Sequence, residues 1–437
     1  GEWNDATKKD TQARRKAYPD DHELFLESAI DQIKMLRNHP SLYLWCGGNE
    51  TLPAPDILQS LTSDIFPRFD PGRYFLEMST SSKLMTNTIG GVGDGPYGIR
   101  EPEKIFTERS FPFNPETGSI GIPNYEGLQK IIPDDEMIPP QGNRVGRSWT
   151  YHKYLPLLDF PDRYGKVRDI RDFCFKAQIV SYEQYRALQE GFNYKMWNWY
   201  SGMLVWKNQN PWTALRGFFY DYFLDCTGGY FGYKHGAAPV HIQLNLNDSV
   251  VCALNQTAQD LKNISAGIKL LDLHGRIISE TKKNVSLKAH NLLLLDKISL
   301  PETDNGVFFL KLTLSDDKKV LDENLYWLTN KMHSYEKLNE LGKAEVKCEI
   351  RNRENKNTLI SINNPGGEPA FFIRLKLTDM NDKQVLPAYF SVNYFTLLPG
   401  EEKQVDLDFM YKGAANQQEP LKIILEGWNT PLTEIKF

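Results

Sequence analysis

At 437 residues the chain is longer than one hydrophobic core serves well, and roughly two to four domains are expected. Its net charge of -5 and sequence pI near 6.0 give no electrostatic reason to expect nucleic acid or an anionic membrane as partner, and neither is expected. The 5 cysteines show neither CxxC nor Cys/His spacing, which argues against a zinc site or a disulfide framework and points to buried thiols.

Along the chain, Leu26, Ile30 and Ile33 recur at helical spacing after Asp20-Asp21, which can cap a helix, and Asn38-His39-Pro40 ends it. A short apolar strand, Leu42 to Trp45, follows. Gly47-Gly48 then permits a sharp turn that places Asn49 and Glu50 at a strand end. On turn chemistry alone, Glu50 is either a solvated turn carboxylate or a functional one.

Further strands are expected at Tyr74 to Met78, in the segment ending at Phe113, and at Gly202 to Trp206. A helix is expected from Glu183 to Trp199, where Tyr185, Leu188, Phe192 and Met196 share one face. After Ala237-Ala238-Pro239 the texture changes. Val240 to Leu246 alternates strictly, and alternation recurs at Ile268-Lys269-Leu270 and Val307 to Leu314, as in antiparallel sheets with one covered face. A second all-β stretch starts within Lys331 to Glu345 and contains the turn signal Pro399-Gly400-Glu401-Glu402. Three domains are therefore expected: residues 1–237 of α/β type, 238–332 a β-sandwich and 333–437 a second β-sandwich.

Several segments carry a family resemblance. Asn38-His39-Pro40-Ser41, an apolar strand and Gly48-Asn49-Glu50 together resemble the acid/base segment of glycoside hydrolase family 2, in its β-mannosidase and exo-β-glucosaminidase branch. Phe113-Asn114-Pro115-Glu116-Thr117-Gly118 resembles the segment that carries the nucleophile. Trp206-Lys207-Asn208-Gln209-Asn210-Pro211-Trp212 is similar to the end of the last barrel strand, in wording nearest to endo-β-mannosidases, and Arg147 to Tyr154 also resembles the mannosidase group.

The resemblance implies the C-terminal part of a (β/α)8 TIM barrel followed by two immunoglobulin-like β-sandwich domains. It implies Glu50 as acid/base and Glu116 as nucleophile, with Asn49 binding the sugar 2-hydroxyl. Trp206 becomes the stacking platform, Asn208 and Asn210 polar contacts, and Trp149 and His152 rim contacts. No cofactor and no metal are implied, and the substrate is a β-linked mannoside or oligosaccharide. Retaining glycosidases require two carboxyl groups about 5 to 5.5 Å apart, and a flat aromatic face complements the C–H face of a pyranose. From the residues alone, Glu116 competes with Glu126 and Glu77, and the Trp-rich run at 197, 199, 206 and 212 can equally form core.

Because the opening residues resemble the loop after the third barrel strand, the first three strands are expected on an N-terminal half, as a separate or nicked chain. Exo-β-mannosidase and exo-β-glucosaminidase activities stay open beside the endo reading. So does a non-catalytic carbohydrate-binding fragment, against which the paired carboxylates speak.

Overall fold

The computed structural model describes residues 18–49, 51–79, 92–108, 111–142, 144–303, 306–331, 333–354, 357–410 and 420–436. The chain divides into two compact units. The first comprises Gly1–Pro96, Arg109–Thr117 and Trp197–Val205; the second comprises Tyr97–Glu108, Gly118–Met196 and Trp206–Phe437. This division does not follow the three expected domains, since residues 206–237 and both β-rich regions fall in one unit.

In the first unit, helix α1 (His22–Leu36) is capped by Asp21, whose Oδ1 accepts from the Leu24 amide at 2.9 Å. Its buried Ile33 joins a small core with Ile57, Leu61, Ile65 and Phe66. Strand β1 (Leu44–Cys46) pairs in parallel with β2 (Tyr74–Leu76). Arg73 fixes the entry to β1 by donating to the Leu42 and His39 carbonyls at 2.7 and 3.0 Å. Strands β3 (Val92–Asp94), β4 (Phe113–Thr117) and β5 (Gly202–Val205) form a second parallel sheet in that order. The strand expected to end at Phe113 instead begins there. Pro115 is tolerated inside it because the ladder to β5 slips between Asn114 and Thr117, where no regular amide partner is required. Among the described residues, the five parallel strands form these two sheets and no closed barrel.

The second unit is organised around helix α2 (Ile170–Tyr194). It starts earlier than its apolar spacing suggests, because Asp169 caps it and its first turns carry buried polar residues with partners. Lys176 donates to the Gly165 carbonyl at 2.6 Å and pairs with Asp172 at 3.0 Å. It ends before Trp197, whose φ of 58° is incompatible with a right-handed helix. Helix α3 (Gly228–Gly236) packs against α2 at backbone distance: a Cβ at Gly232 would lie 2.2 Å from the Tyr182 carbonyl oxygen.

The rest of the unit is two antiparallel sandwiches. Strands β6 (Val240–Asn245), β7 (Val250–Asn255) and β10 (Asn291–Lys297) form one sheet of the first. Strands β8 (Leu261–Leu271), β9 (Ile277–Leu287), β11 (Val307–Ser315) and β12 (Val320–Thr329) form the other. In the second sandwich, β13 (Lys347–Glu354), β14 (Asn357–Asn363), β18 (Glu402–Phe409) and β16 (Ala388–Phe390) face β17 (Phe395–Leu397), β15 (Ala370–Asp379), β19 (Leu421–Glu426) and β20 (Thr433–Lys436). Each sandwich has its own apolar filling.

A further core unites the second unit. It runs from Ile120, Ile122 and Phe173 through Phe309 and Trp327 to Phe371, Phe372 and Tyr394. Cys174 and Cys252 are buried as expected, but Cys46 is exposed.

Candidate active site

In the first unit, the turn after β1 is closed by the Gly47 amide, which donates to the Leu76 carbonyl at 2.8 Å, and by the Ser79 amide, which donates to the Gly48 carbonyl at 2.9 Å. Glycine is required here because a Cβ at Gly47 would sit 2.7 Å from the Glu77 carbonyl oxygen. Asn49 follows, half-buried, its carbonyl accepting from the Thr51 amide at 2.6 Å. Glu50 lies outside the described residues.

Glu116 is the penultimate residue of β4 and half-buried. Its amide donates to Asn114 Oδ1 at 3.1 Å and its carbonyl accepts from the Gly95 amide at 2.6 Å, while Asn114 Nδ2 donates to the Gly95 carbonyl at 2.8 Å. The fully buried Asn114 thus fixes the backbone that carries the Glu116 carboxyl. Glu77, considered as a buried strand carboxylate, is exposed just past β2. Glu126 is committed elsewhere: burial alone would raise its pKa, but Arg374 and Lys376 override this and hold the carboxylate well below its ordinary range.

In the second unit, Trp206 is half-buried. Tyr97 meets its ring edge-on at 5.8 Å, and the Arg216 and Lys207 cations lie 4.8 and 4.7 Å from the ring centroid. Burial, aided by the Arg216 charge, lowers the Lys207 pKa. The Trp206–Lys207 peptide is cis. Asn208 is exposed, and its carbonyl accepts from the Phe219 and Tyr220 amides, both at 3.1 Å. Asn210 departs from its expected role: it is buried, and Nδ2 donates to the Ala214 carbonyl at 2.6 Å, so it builds the turn between 210 and 214.

Trp149 is a second correction. Only 1% exposed, it packs edge-on against Tyr154 and Phe173 and donates its indole N–H to the Glu136 carbonyl at 2.9 Å, which leaves no face for a sugar. His152 is half-buried, with Nδ1 and Thr213 Oγ1 3.0 Å apart, and its ring stacks on Trp212 at 5.8 Å. The structure adds two residues that spacing alone did not single out: Trp212, 41% exposed, and Tyr151, 66% exposed, which meet edge-on at 5.9 Å. The pairing of Tyr151-His152 with Trp212-Thr213 is long-range, so only exposure of two large aromatics could have flagged it.

Two groupings among the described residues have metal-ligand composition: His235, His241 and Asp322, and Glu101, Glu103 and His333. In the first, both His241 nitrogens are engaged, by Asp322 Oδ2 at 2.8 Å and Glu190 Oε1 at 3.2 Å. In the second, Glu101 already holds Arg163 with both oxygens at 2.7 and 2.8 Å.

Two family models match the chain. The mannosidase Ig/CBM-like domain covers residues 248–331, and the exo-β-D-glucosaminidase Ig-fold domain covers residues 324–430. A mannosylglycoprotein endo-β-mannosidase of Lilium longiflorum is 30% identical over 94% of the chain and 54% of its own length. An exo-β-D-glucosaminidase of Arthroderma benhamiae is 26% identical over 94% of the chain and 50% of its own length. The chain is thus similar to proteins described as endo-β-mannosidase and exo-β-D-glucosaminidase. It spans about half the length of the curated family 2 relatives it matches. The crystal structure of the Amycolatopsis orientalis exo-chitosanase CsxA has the same fold, with a TM-score of 0.79 at 24% identity over 93% of this chain and 53% of that one. The two matched Ig-type domains coincide with the two sandwiches, so the β-rich half of this chain is immunoglobulin-like.

Proposed function

We propose that the chain is the C-terminal part of a retaining β-mannosidase that cleaves the Man-β-1,4-GlcNAc bond of N-glycan fragments in endo fashion, and that its parallel strands are part of a (β/α)8 barrel. The observation that carries this reading is the 30% identity, over 94% of the chain, to a protein described as a mannosylglycoprotein endo-β-mannosidase. Glu116 at the C-terminal end of a parallel strand supports it, because catalytic side chains of such barrels project from that rim.

In this reading the Glu116 carboxylate attacks the anomeric carbon while Glu50 gives its proton to the departing glycosidic oxygen, leaving a glycosyl ester. Glu50 then takes a proton from water, the water oxygen attacks the same carbon, and Glu116 departs as carboxylate. Asn49 binds the 2-hydroxyl, Trp206 stacks beneath the sugar, and Asn208 and His152 contact substrate at the rim. No cofactor takes part. The N-terminal half of the same enzyme completes the cleft.

A second reading, exo-β-D-glucosaminidase, is favoured by the match of residues 324–430 to that family's Ig-fold domain. The test is hydrolysis by the chain joined to the remaining half, using an aryl β-mannoside, a Man-β-1,4-GlcNAc oligosaccharide and an aryl β-glucosaminide. Cleavage of the oligosaccharide that is lost in Glu116→Gln is expected. Activity on the glucosaminide alone supports the second reading, and turnover of none of them leaves the chain a binding fragment.

A further inference from the structure

Residues 118–127 and 207–227 directly follow the two strands that carry Glu116 and precede Trp206. Within the second unit, these loops are joined to each other and to the second sandwich by one partly buried set of polar groups, with Asn124, Arg374 and Tyr394 buried at its centre. Asn124, in the first loop, donates through Nδ2 to Asp225 Oδ2 in the second at 2.8 Å. From β15, Arg374 reaches both: Nη1 donates to Glu126 Oε2 at 3.0 Å and Nη2 to Asp225 Oδ2 at 3.2 Å, while Glu426 of β19 braces Nη1 at 2.8 Å. Lys376 adds a bond to Glu126 Oε1 at 2.6 Å, and the Tyr394 hydroxyl donates to Asn124 Oδ1 at 2.8 Å.

The second loop is itself locked to the backbone beside Trp206. The Asp225 amide donates to Asp221 Oδ1 at 3.0 Å, the Thr227 amide to the Phe219 carbonyl at 2.9 Å, and the Phe219 amide to the Lys207 carbonyl at 3.2 Å. On the other side, Gly118 lies so close to the Trp206 carbonyl that a Cβ there would be 2.2 Å from its oxygen. Hydrogen bonds, joined by the short backbone between Asp225 and Thr227, therefore lead from Arg374 to the residue that follows Trp206.

An apolar interface would hold the sandwich in place without direction, whereas a guanidinium with three carboxylates around it permits one arrangement and is costly in any other. We infer that Arg374, with Tyr394, is a positioning residue through which the second sandwich sets the geometry of the loops on either side of Trp206. The sandwich is thus a working part of the substrate cleft. The structural half of this inference stands without any assigned activity; its consequence for the cleft rests on the glycosidase reading.

The experiment is amide hydrogen exchange on the full chain, comparing the native protein with Arg374→Met and Tyr394→Phe. Removing Arg374 should speed exchange in 118–127 and 219–227 by about ten-fold or more, with β15 and β19 still protected, because each charged hydrogen bond lost is worth roughly that factor. Tyr394→Phe deletes one hydroxyl inside an otherwise intact core and should loosen 118–127 only. Unchanged exchange in both loops overturns the inference; should Arg374→Met unfold the sandwich, unchanged exchange in Tyr394→Phe overturns it equally. In the enzyme joined to its other half, Arg374→Met should lower kcat/KM on a β-mannoside and Arg374→Lys should partly restore it. Inactivity of the native enzyme on every glycoside would count against the proposed function, while the exchange result still decides the clamp.

Discussion

His241 is the residue whose removal most directly tests how the first sandwich is fastened to α2. Its ring is completely buried between Asp322 and Glu190, which also accepts from Asn324 at 2.9 Å and Tyr326 at 2.7 Å. Burial alone would lower its pKa, but the two carboxylates outweigh burial and lift it to about 9. The same burial, with His241 and Arg186 nearby, keeps His235 on the neutral side.

A folded-state pKa of about 9 against 6.5 in the unfolded chain corresponds to about 3 kcal/mol favouring the imidazolium when folded. Because the folded value is raised, that stability is fully present below pH 6.5 and is lost as pH climbs toward 9. In His241→Gln, Glu190 and Asp322 keep their charges without a buried cation between them, and a loss of roughly 3 to 5 kcal/mol is expected. The assay is urea unfolding at several pH values, with exchange of β6 and β12 amides as the local probe. Native protein should lose stability between pH 6.5 and 9 along a slope the variant lacks. Parallel pH profiles for the two proteins would refute the imidazolium assignment.

Three further outcomes are expected. Gly232→Ala should destabilise by roughly 1 to 3 kcal/mol in chemical denaturation, because its Cβ meets the Tyr182 carbonyl, a backbone atom that cannot swing away. Burial, and then the neighbouring Asp225 charge, raise the Asp221 pKa to about 7, so stability falls as pH rises from 3.8 toward 7; Asp221→Asn should flatten that fall and be at least as stable as native protein at pH 8. Trp212→Ala should raise KM for a Man-β-1,4-GlcNAc oligosaccharide several-fold more than for an aryl β-mannoside, because an exposed ring paired with His152 offers stacking to sugars beyond the cleaved bond; equal effects on both substrates would remove Trp212 from the cleft.

The alternation of Val240 to Asn245 shows how far the sequence could be read. Alternation does mark a strand, but the natural inference, a wet polar face, is not what the fold contains. His241, Gln243 and Asn245 are all buried, and Gln243 Nε2 donates to the Glu190 carbonyl at 2.9 Å. The polar face is a docking face for α2, and only long-range contacts reveal that. For the same reason the start of α2 was hidden: Lys176, Gln178 and Ser181 read as surface, yet Gln178 donates to the Ile122 carbonyl at 3.1 Å inside the core. At the candidate site, local chemistry was legible where glycine fixes a turn, as at Gly47, whereas the strand expected to end at Phe113 runs on through Glu116. It failed for Trp149 and Asn210, whose placement depends on partners 13 and 4 residues away that take the Trp149 indole N–H and the Asn210 Nδ2.

The core that runs from Ile120 through Trp327 to Phe372 and Tyr394 also bears on how this protein can be taken apart. Severing the chain at Ala237 would bare Trp327, Phe371 and Phe372 on one piece and Phe173, Tyr182 and Phe231 on the other, and severing near Lys331 would part Phe371 and Phe372 from all the rest. Such pieces would carry large greasy scars and clump. Productive dissection should instead cut at exposed turns within the sandwiches, such as the Asp316–Lys319 bend, whose residues 317–319 are exposed and take no part in that shared interior.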